Sequence, residues 1–275
     1  MHEFYFFCIV NMTRRISIIF TCVLALWLLF HRRSKEALSS RIIGGKTVDW
    51  KQRYPWFVNI GGCGGSLITK DCILTAAHCV SFGEKPTQVR IGNSETRHVK
   101  EVIPHPNFDP TMKGSNVNDI AILLLDSPSQ YAPVRLTRSR PSNDSTVTII
   151  GKGLTKANMT LEEMSNFKAP LLQEATMTVK TNVRDCPVAT NLYKFNTLKD
   201  FVCFVSKTQT GCNGDSGGPA IQFIGNTPYL IGVTSNGFPG CGKYKNMYTA
   251  LYTSVAHHKK WIESIVKTRS KYPLI

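Results

Sequence analysis

The sequence predicts an all-β protein because short apolar segments recur along the chain and turn-forming residues separate them. Glycine, proline, asparagine and aspartate interrupt these segments at short intervals after Arg41, which is typical of a β-barrel or a β-sandwich. One segment differs, because residues 254–271 repeat apolar residues at near-helical spacing and end in lysine and arginine. That pattern predicts an amphipathic C-terminal α-helix.

Several segments have the length and apolar content of strands. They are residues 56–60, 72–77, 87–92, 119–125, 146–151, 174–179, 201–205, 219–224 and 228–235. Residues 156–170 are polar and lack strand patterning, so a surface loop is predicted there. A chain of 275 residues with 42% hydrophobic content suits one large all-β domain or two small ones.

The N-terminal segment, residues 1–33, differs from the rest. Its apolar run, residues 16–30, has 15 residues between pairs of arginines, which is the length of a signal-peptide core and shorter than the about 20 residues of a spanning helix. A cleaved signal peptide is favoured, and the lack of a clear cleavage site leaves a retained signal-anchor or a buried core helix open. A short propeptide, residues 34–41, and one domain, residues 42–275, would follow.

Export would place the domain outside the cell, where cysteines are expected to form disulfides. The domain would be secreted, or held outside the cell by membrane anchoring through the apolar run. Two of the nine cysteines lie in the leader, so seven remain as disulfide candidates with one left over. No Cys-x-x-Cys pair occurs, and no metal is expected. N-glycosylation sequons begin at Asn143 and Asn158.

The formal net charge of +15 indicates which partners suit the chain. It favours acidic surfaces or glycans, although a solvated basic face is the simpler explanation. The basic residues are scattered without interleaved aromatic residues, so nucleic acid is not expected as a partner.

Three separate motifs contain the residue types of nucleophilic catalysis: His78 in "TAAHC", Asp119 in "DIAILLL" and Ser216 in "GDSGGP". Alone, each is commonly structural. Together they meet a chemical requirement, because a serine hydroxyl needs a base and a histidine base needs an orienting carboxylate. The glycines beside Ser216 let backbone N–H groups converge on an oxyanion. The motifs therefore predict a Ser-His-Asp triad.

These motifs resemble those of the chymotrypsin-like (trypsin-like) serine proteases, and the His, Asp, Ser order is that family's. The motifs in family order are "RIIGG" (41–45), "CGGSLI" (63–68), "TAAHC" (75–79), "DIAILLL" (119–125), "GDSGGP" (214–219) and "TSNG" (234–237). The resemblance covers about residues 42–266. It implies two packed six-stranded antiparallel β-barrels with the triad between them, a protein or peptide substrate, and no cofactor.

The resemblance also implies the role of each site residue. Ser216 is the nucleophile, His78 the general base and then acid, and Asp119 the orienting carboxylate. The N–H groups of Gly214 and Ser216 form the oxyanion hole. Ser235 lies beside the triad aspartate, and the backbone from Ser235 to Gly237 pairs with an extended substrate.

Activation follows from the same resemblance. A protease that prefers basic residues cuts after Arg41, and the new ammonium group of Ile42 pairs with Asp215. The precursor would be a nearly inactive zymogen. Protein inhibitors are expected as further partners.

Three disulfides are implied as well: Cys63–Cys79, Cys186–Cys203 and Cys212–Cys241. Cys72 is left over, and a buried free thiol is favoured over an intermolecular bridge.

Several positions depart from the family pattern. Thr210 stands where trypsins carry an aspartate, so cleavage after lysine or arginine is not expected. Asn246 is expected to fill part of the specificity pocket where a glycine usually leaves room. Asn236 and Lys152 each replace a usual tryptophan. The predicted function is a secreted serine endopeptidase, and the alternative is a protease-like binding protein without efficient turnover.

Overall fold

The computed structural model describes residues 42–49, 53–92, 94–111, 116–154, 156–158 and 171–275. The predicted leader and propeptide lie outside these residues, as does most of the predicted loop at 156–170. Within the described ranges, no helix has both the length and the apolar character needed to cross a membrane.

Strands dominate the described part of the chain. They are β1 (Lys46–Thr47), β2 (Phe57–Ile60), β3 (Cys63–Leu67), β4 (Cys72–Thr75), β5 (Gln88–Ile91), β6 (Glu95–Pro104), β7 (Ala121–Leu125), β8 (Arg135–Leu136), β9 (Thr146–Gly151), β10 (Gln173–Lys180), β11 (Phe201–Ser206), β12 (Pro219–Ile224), β13 (Thr227–Gly237) and β14 (Tyr248–Ser254). The α-helices are α1 (His78–Ser81) and α2 (Val255–Arg269), with short helical turns at Val183–Asp185, Val188–Leu192 and Pro239–Cys241.

The first six-stranded sheet closes into a barrel in the order β2-β3-β4-β7-β6-β5. All of its strand pairs are antiparallel. Every residue of β4 and β7 is buried, as their unbroken apolar sequences require. β6 instead alternates between partly buried and exposed residues, so one face of this strand is in solvent.

The second sheet has the order β1-β10-β11-β14-β13-β12-β9, and pairing between β9 and β10 closes a second six-stranded barrel. β1 adds to this barrel through β10, and β8 pairs in parallel with β13. The predicted pair of six-stranded antiparallel barrels is therefore confirmed.

Helix α2 is shorter than the predicted 254–271 and covers Val255–Arg269. It begins after Ser254, whose side chain accepts a hydrogen bond from the His257 N–H and so caps the first turn. Val255, Ile262 and Val266 are buried against the core of the first barrel. The helix therefore follows the last strand of the second barrel and packs against the first barrel.

Six cysteines form the three implied disulfides, Cys63–Cys79, Cys186–Cys203 and Cys212–Cys241. Each cross-link can contribute ~2–5 kcal/mol to the stability of a secreted domain. Cys72 is a buried free thiol on β4, and burial raises its pKa to about 11. A thiol in that state is inert at neutral pH, as expected for a core residue.

Candidate active site

His78 is positioned by the short helix α1, which follows directly after the buried strand β4. The backbone N–H of His78 donates to Asp119 Oδ1 at 2.9 Å, and its ring Nδ1 lies 2.8 Å from Asp119 Oδ2. The disulfide between Cys79 and Cys63 ties this turn to β3. Because Nδ1 faces a carboxylate, it carries the ring hydrogen, and Nε2 is left as a proton acceptor.

Asp119 is fully buried, and its carboxylate accepts hydrogen bonds on both oxygens. Besides the two bonds from His78, the Ser235 hydroxyl donates to Oδ2 at 2.5 Å. The Asp119 backbone carbonyl accepts from Thr253 Oγ1 at 2.8 Å. A buried ionised carboxylate is stable only when such donors surround it.

Ser216 lies on a turn held by glycines whose close contacts exclude side chains. A Cβ on Gly217, where φ is 73°, would lie 2.3 Å from Thr75 Oγ1. The Ser216 carbonyl accepts from Gly64 N at 2.7 Å, and a Cβ on Gly64 would lie 2.9 Å from Gly218 Cα. These contacts place the serine turn of the second barrel directly against the first barrel.

The backbone N–H groups proposed for the oxyanion hole are available to donate hydrogen bonds to a ligand. Within the described residues, neither Gly214 N nor Ser216 N donates to another protein atom. Gly214 has a positive φ of 93°, a conformation that glycine adopts without strain. Two unpaired N–H groups beside a serine hydroxyl can stabilise an oxyanion.

The structure brings His78 and Asp119 into contact but does not join His78 to Ser216. Over the described ranges, Ser216 Oγ forms no hydrogen bond with His78 Nε2, which lies 3.7 Å from Cys79 Sγ. Catalytic hydrogen bonds are often long in the absence of a substrate.

A cavity of about 290 Å³ opens beside Ser216. Thr210, which is buried, lines it together with Gly211, and residues 234–242 form much of the remaining wall. Such a cavity next to a serine can hold one substrate side chain.

Comparison with known proteins places this geometry in a family. The family model for trypsin matches residues 42–262. The chain belongs to the trypsin family. It is 31% identical to vitamin K-dependent protein C of Mus musculus over 223 residues, which cover 74% of this chain and 46% of that protein. It is 30% identical to trypsin delta of Drosophila erecta over 238 residues, which cover 82% of this chain and 88% of that protein.

The match covers 88% of trypsin delta but less than half of mouse protein C. The rat protein C is likewise 30% identical over 228 residues, 75% of this chain and 46% of that protein. The chain therefore spans about half the length of its protein C relatives. The chain also matches the family's chymotrypsin-like fold of two barrels.

The expectation for Asn246 in the trypsin-family pocket is wrong. Asn246 is exposed on the turn between Tyr244 and Met247, and it does not line the cavity. Thr249 and Ala250 line the wall instead, because β14 begins only at Tyr248.

A second hydrogen-bond network around Asp119 was not predicted from the sequence motifs. Asn236 donates to Ser235 Oγ at 3.2 Å and accepts from Asn116 Nδ2 at 2.9 Å. These amides add a further polar layer behind the bond from Ser235 to Asp119. The substitution of the family's usual tryptophan at 236 is therefore accommodated by hydrogen bonds rather than by apolar packing.

Asp215 and Ile42 are both buried in this trypsin-family domain. Ile42 is fully buried in the core of the second barrel, with a φ of 68°. Asp215 Oδ1 accepts from Gly153 N at 2.7 Å, and Oδ2 accepts from Cys212 N at 2.8 Å. Burial raises the pKa of Asp215 to about 7 despite these donors. The backbone N–H groups of Cys212, Gly153 and Lys152 lower this pKa, but burial outweighs them.

The segment after Ile42 is also connected to the specificity pocket. The Thr210 N–H donates to the Ile43 carbonyl at 3.1 Å, which forms an isolated β-bridge between the two residues. Gln209 Nε2 donates to the Gly44 carbonyl at 2.7 Å. The position of the first domain residues and the shape of the pocket are thus coupled by hydrogen bonds.

Proposed function

We propose that this protein is a secreted serine endopeptidase made as a zymogen. One observation carries the proposal. The fully buried Asp119 accepts hydrogen bonds from both the backbone and the ring of His78, which leaves Nε2 of that ring as the base. The turn that contains Ser216 also carries the N–H groups of Gly214 and Ser216, which donate to no other atom of the described residues.

The proposed reaction uses these groups in two steps. Ser216 Oγ attacks the substrate carbonyl while His78 Nε2 takes the hydroxyl proton, and Asp119 stabilises the imidazolium. The N–H groups of Gly214 and Ser216 stabilise the oxyanion. When the C–N bond breaks, His78 returns the proton to the leaving amine. Water then attacks the acyl-serine by the reverse sequence and frees Ser216.

The substrate would bind as an extended strand alongside Ser235 to Gly237, with one side chain in the cavity. Thr210 places a neutral hydroxyl rather than a carboxylate in that cavity. A preference other than lysine or arginine is therefore proposed for the residue before the cut bond. Small or medium side chains suit a cavity of about 290 Å³ whose wall carries Ala250.

Activation is proposed to occur by cleavage after Arg41. Two observations support this: Ile42 is fully buried in the core of the second barrel, and Asp215 is a buried carboxylate whose pKa burial raises to about 7. A cut would create an ammonium group on Ile42 to pair with it. The activating protease and protein inhibitors are the proposed partners, together with protein substrates.

Export and glycosylation are proposed together. Asn143 and Asn158 are both exposed, which supports their use as glycosylation sites. Secretion is favoured, and anchoring through residues 16–30 is the alternative.

A protease-like binding protein is the second candidate. The lack of a bond between Ser216 and His78 within the described residues favours it, as do Asn236 and Lys152 at positions where the family carries tryptophan.

The two candidates are separated by active-site labelling. The chain is cut after Arg41 and treated with a fluorophosphonate probe, with uncut protein and Ser216→Ala as controls. We expect labelling of Ser216 in the cut form only, because only that form has the Ile42 ammonium. A cut chain that stays unlabelled is the result expected of a binding protein.

Pocket selectivity gives a further prediction. Thr210→Asp should raise kcat/KM for arginine substrates by roughly 10- to 100-fold, since a hydrogen bond to a charged group is worth ~1.5–3 kcal/mol. Asn246→Asp is the matched control and should leave the selectivity unchanged, because Asn246 is exposed and outside the cavity. The measurement is kcat/KM on a peptide library that varies only the residue before the cut bond. Equal gains in both variants would contradict the assignment of the pocket.

A further inference from the structure

Two histidines and an aspartate meet where β11 and α2 begin. Asp200 precedes β11, and His257 and His258 lie in the first turn of α2. The Ser254 N–H donates to the Asp200 carbonyl at 2.7 Å, which fixes the start of the helix beside the start of the strand. Asp200 Oδ1 lies 3.8 Å from His257 Nε2 and 3.6 Å from His258 Nε2.

The surroundings of His258 show an unmet requirement for a cation. Its side chain is 2% exposed, and its Nδ1 lies 3.0 Å from the Ser254 carbonyl. Because a carbonyl only accepts, Nδ1 carries the hydrogen, and the neutral ring has a lone pair on Nε2. That lone pair faces two oxygens, Asp200 Oδ1 and Asn118 Oδ1, the latter at 3.3 Å.

The orientation of the Asn118 amide is fixed by a separate contact. Its Nδ2 donates to the Asn107 carbonyl at 3.3 Å, so its oxygen must face His258. A metal ion bound to Nε2 and to a carboxylate oxygen would remove this conflict between a lone pair and two acceptor oxygens.

We propose that Asp200, His257 and His258 bind a zinc ion. The three donor atoms all lie within 4.8 Å of one another. Zn–N bonds of ~2.0–2.1 Å with tetrahedral angles place ligand atoms ~3.3–3.5 Å apart, so small side-chain rotations suffice. The His257 and Asp200 side chains, at 30% and 19% exposure, can move and leave the site open to solvent. Water would complete the tetrahedron.

The chemistry of these donors selects the class of ion. Imidazole nitrogens favour zinc and its neighbours over calcium or magnesium. The bond from His258 Nδ1–H to a backbone carbonyl is the support that metal-binding histidines usually have. The nearby Arg140 guanidinium donates its hydrogen bonds to the carbonyls of Leu198, Lys199 and Phe201 rather than to Asp200.

The site adjoins the proposed triad through two connections. Asn118 immediately precedes Asp119, and Ser254 follows Thr253, whose hydroxyl donates to the Asp119 carbonyl. His105, whose ring centroid is 5.4 Å from that of His258, is a neighbour outside the cluster of three donor atoms.

The test measures binding in the inactive full chain, Ser216→Ala, so that its result is independent of turnover and autolysis. Calorimetric titration with Zn²⁺ should give one high-affinity site, and Co²⁺ should give a tetrahedral visible absorption band. His257→Ala and Asp200→Asn should each weaken Zn²⁺ binding at least tenfold and remove the band. Both residues are partly exposed, so these variants are expected to fold.

His98→Ala is the matched control, because His98 is an exposed histidine on β6. It should bind Zn²⁺ like the parent. Unchanged affinity in both His257→Ala and Asp200→Asn would overturn the proposal. Loss of the binding in His78→Ala with full retention in His257→Ala would also overturn it, by placing the metal at the triad.

Discussion

Asp119→Asn is expected to lower kcat, and kcat/KM with it, by about 10⁴-fold while the fold stays intact, which is the effect of this change in a chymotrypsin-type triad. The structure supplies the reason. Asp119 Oδ1 accepts from the His78 backbone N–H, so an asparagine would keep its oxygen there and direct its NH₂ toward His78 Nδ1. The ring would then have to accept at Nδ1 and carry its hydrogen on Nε2, where it cannot act as a base.

The measurement is kcat/KM against pH for the cut protein, with the melting temperature as a check of folding. Asp126→Asn is the matched control, because Asp126 is an exposed aspartate just after the other end of β7. We expect it to retain full activity. If Asp119→Asn lost less than tenfold, His78 would not depend on this carboxylate and the triad assignment would fail.

The uncut chain is expected to lose stability as the pH rises from about 4 to about 7. Asp215 has a folded pKa of about 7 against 3.8 for an exposed aspartate, so the folded state holds this proton more tightly. The stabilisation is complete below pH 4 and is lost as the pH rises through the folded pKa. A shift of this size corresponds to a loss on the order of 4 kcal/mol across the window.

Cleavage after Arg41 should remove this loss, because the Ile42 ammonium would pair with the ionised carboxylate. The measurement is the free energy of unfolding between pH 4 and 8 for uncut and cut Ser216→Ala protein. Asp215→Asn in the uncut chain is the control. Its free energy of unfolding should not fall between pH 4 and 7 by the amount expected from Asp215, even if the variant is less stable overall. Identical slopes for uncut and cut protein would contradict the pairing of Ile42 with Asp215.

Apolar patterning predicted most of the strands but missed three long ones for physical reasons. β3 contains two consecutive glycines and therefore resembles a turn in sequence. β6 has one face in solvent and is rich in charged residues. β14 mixes polar and apolar residues that are nearly all buried, so it shows no alternation, and only its last residue, Ser254, fell within the predicted helix.

At the candidate site, residues in local motifs could be predicted from the sequence, whereas contacts between residues far apart in the chain could not. His78, Asp119 and Ser216 lie in motifs whose glycines and apolar neighbours are visible in sequence. Asn246 was misplaced because the loop before β14 has no pattern that fixes its length against the pocket wall. The contacts that Asn116 and Thr253 make to this site have no local signal, since each spans more than one hundred residues.

The contact between Gly64 and the serine turn has a consequence for the life of the chain before folding is complete. Because Ser216 is held from the first barrel, the proposed nucleophile would have no defined geometry until both barrels have formed and docked. A half-folded chain would then be unable to cleave its neighbours, even if the bond after Arg41 were cut early. The interface between the barrels would act as a safeguard that does not depend on the proposed propeptide.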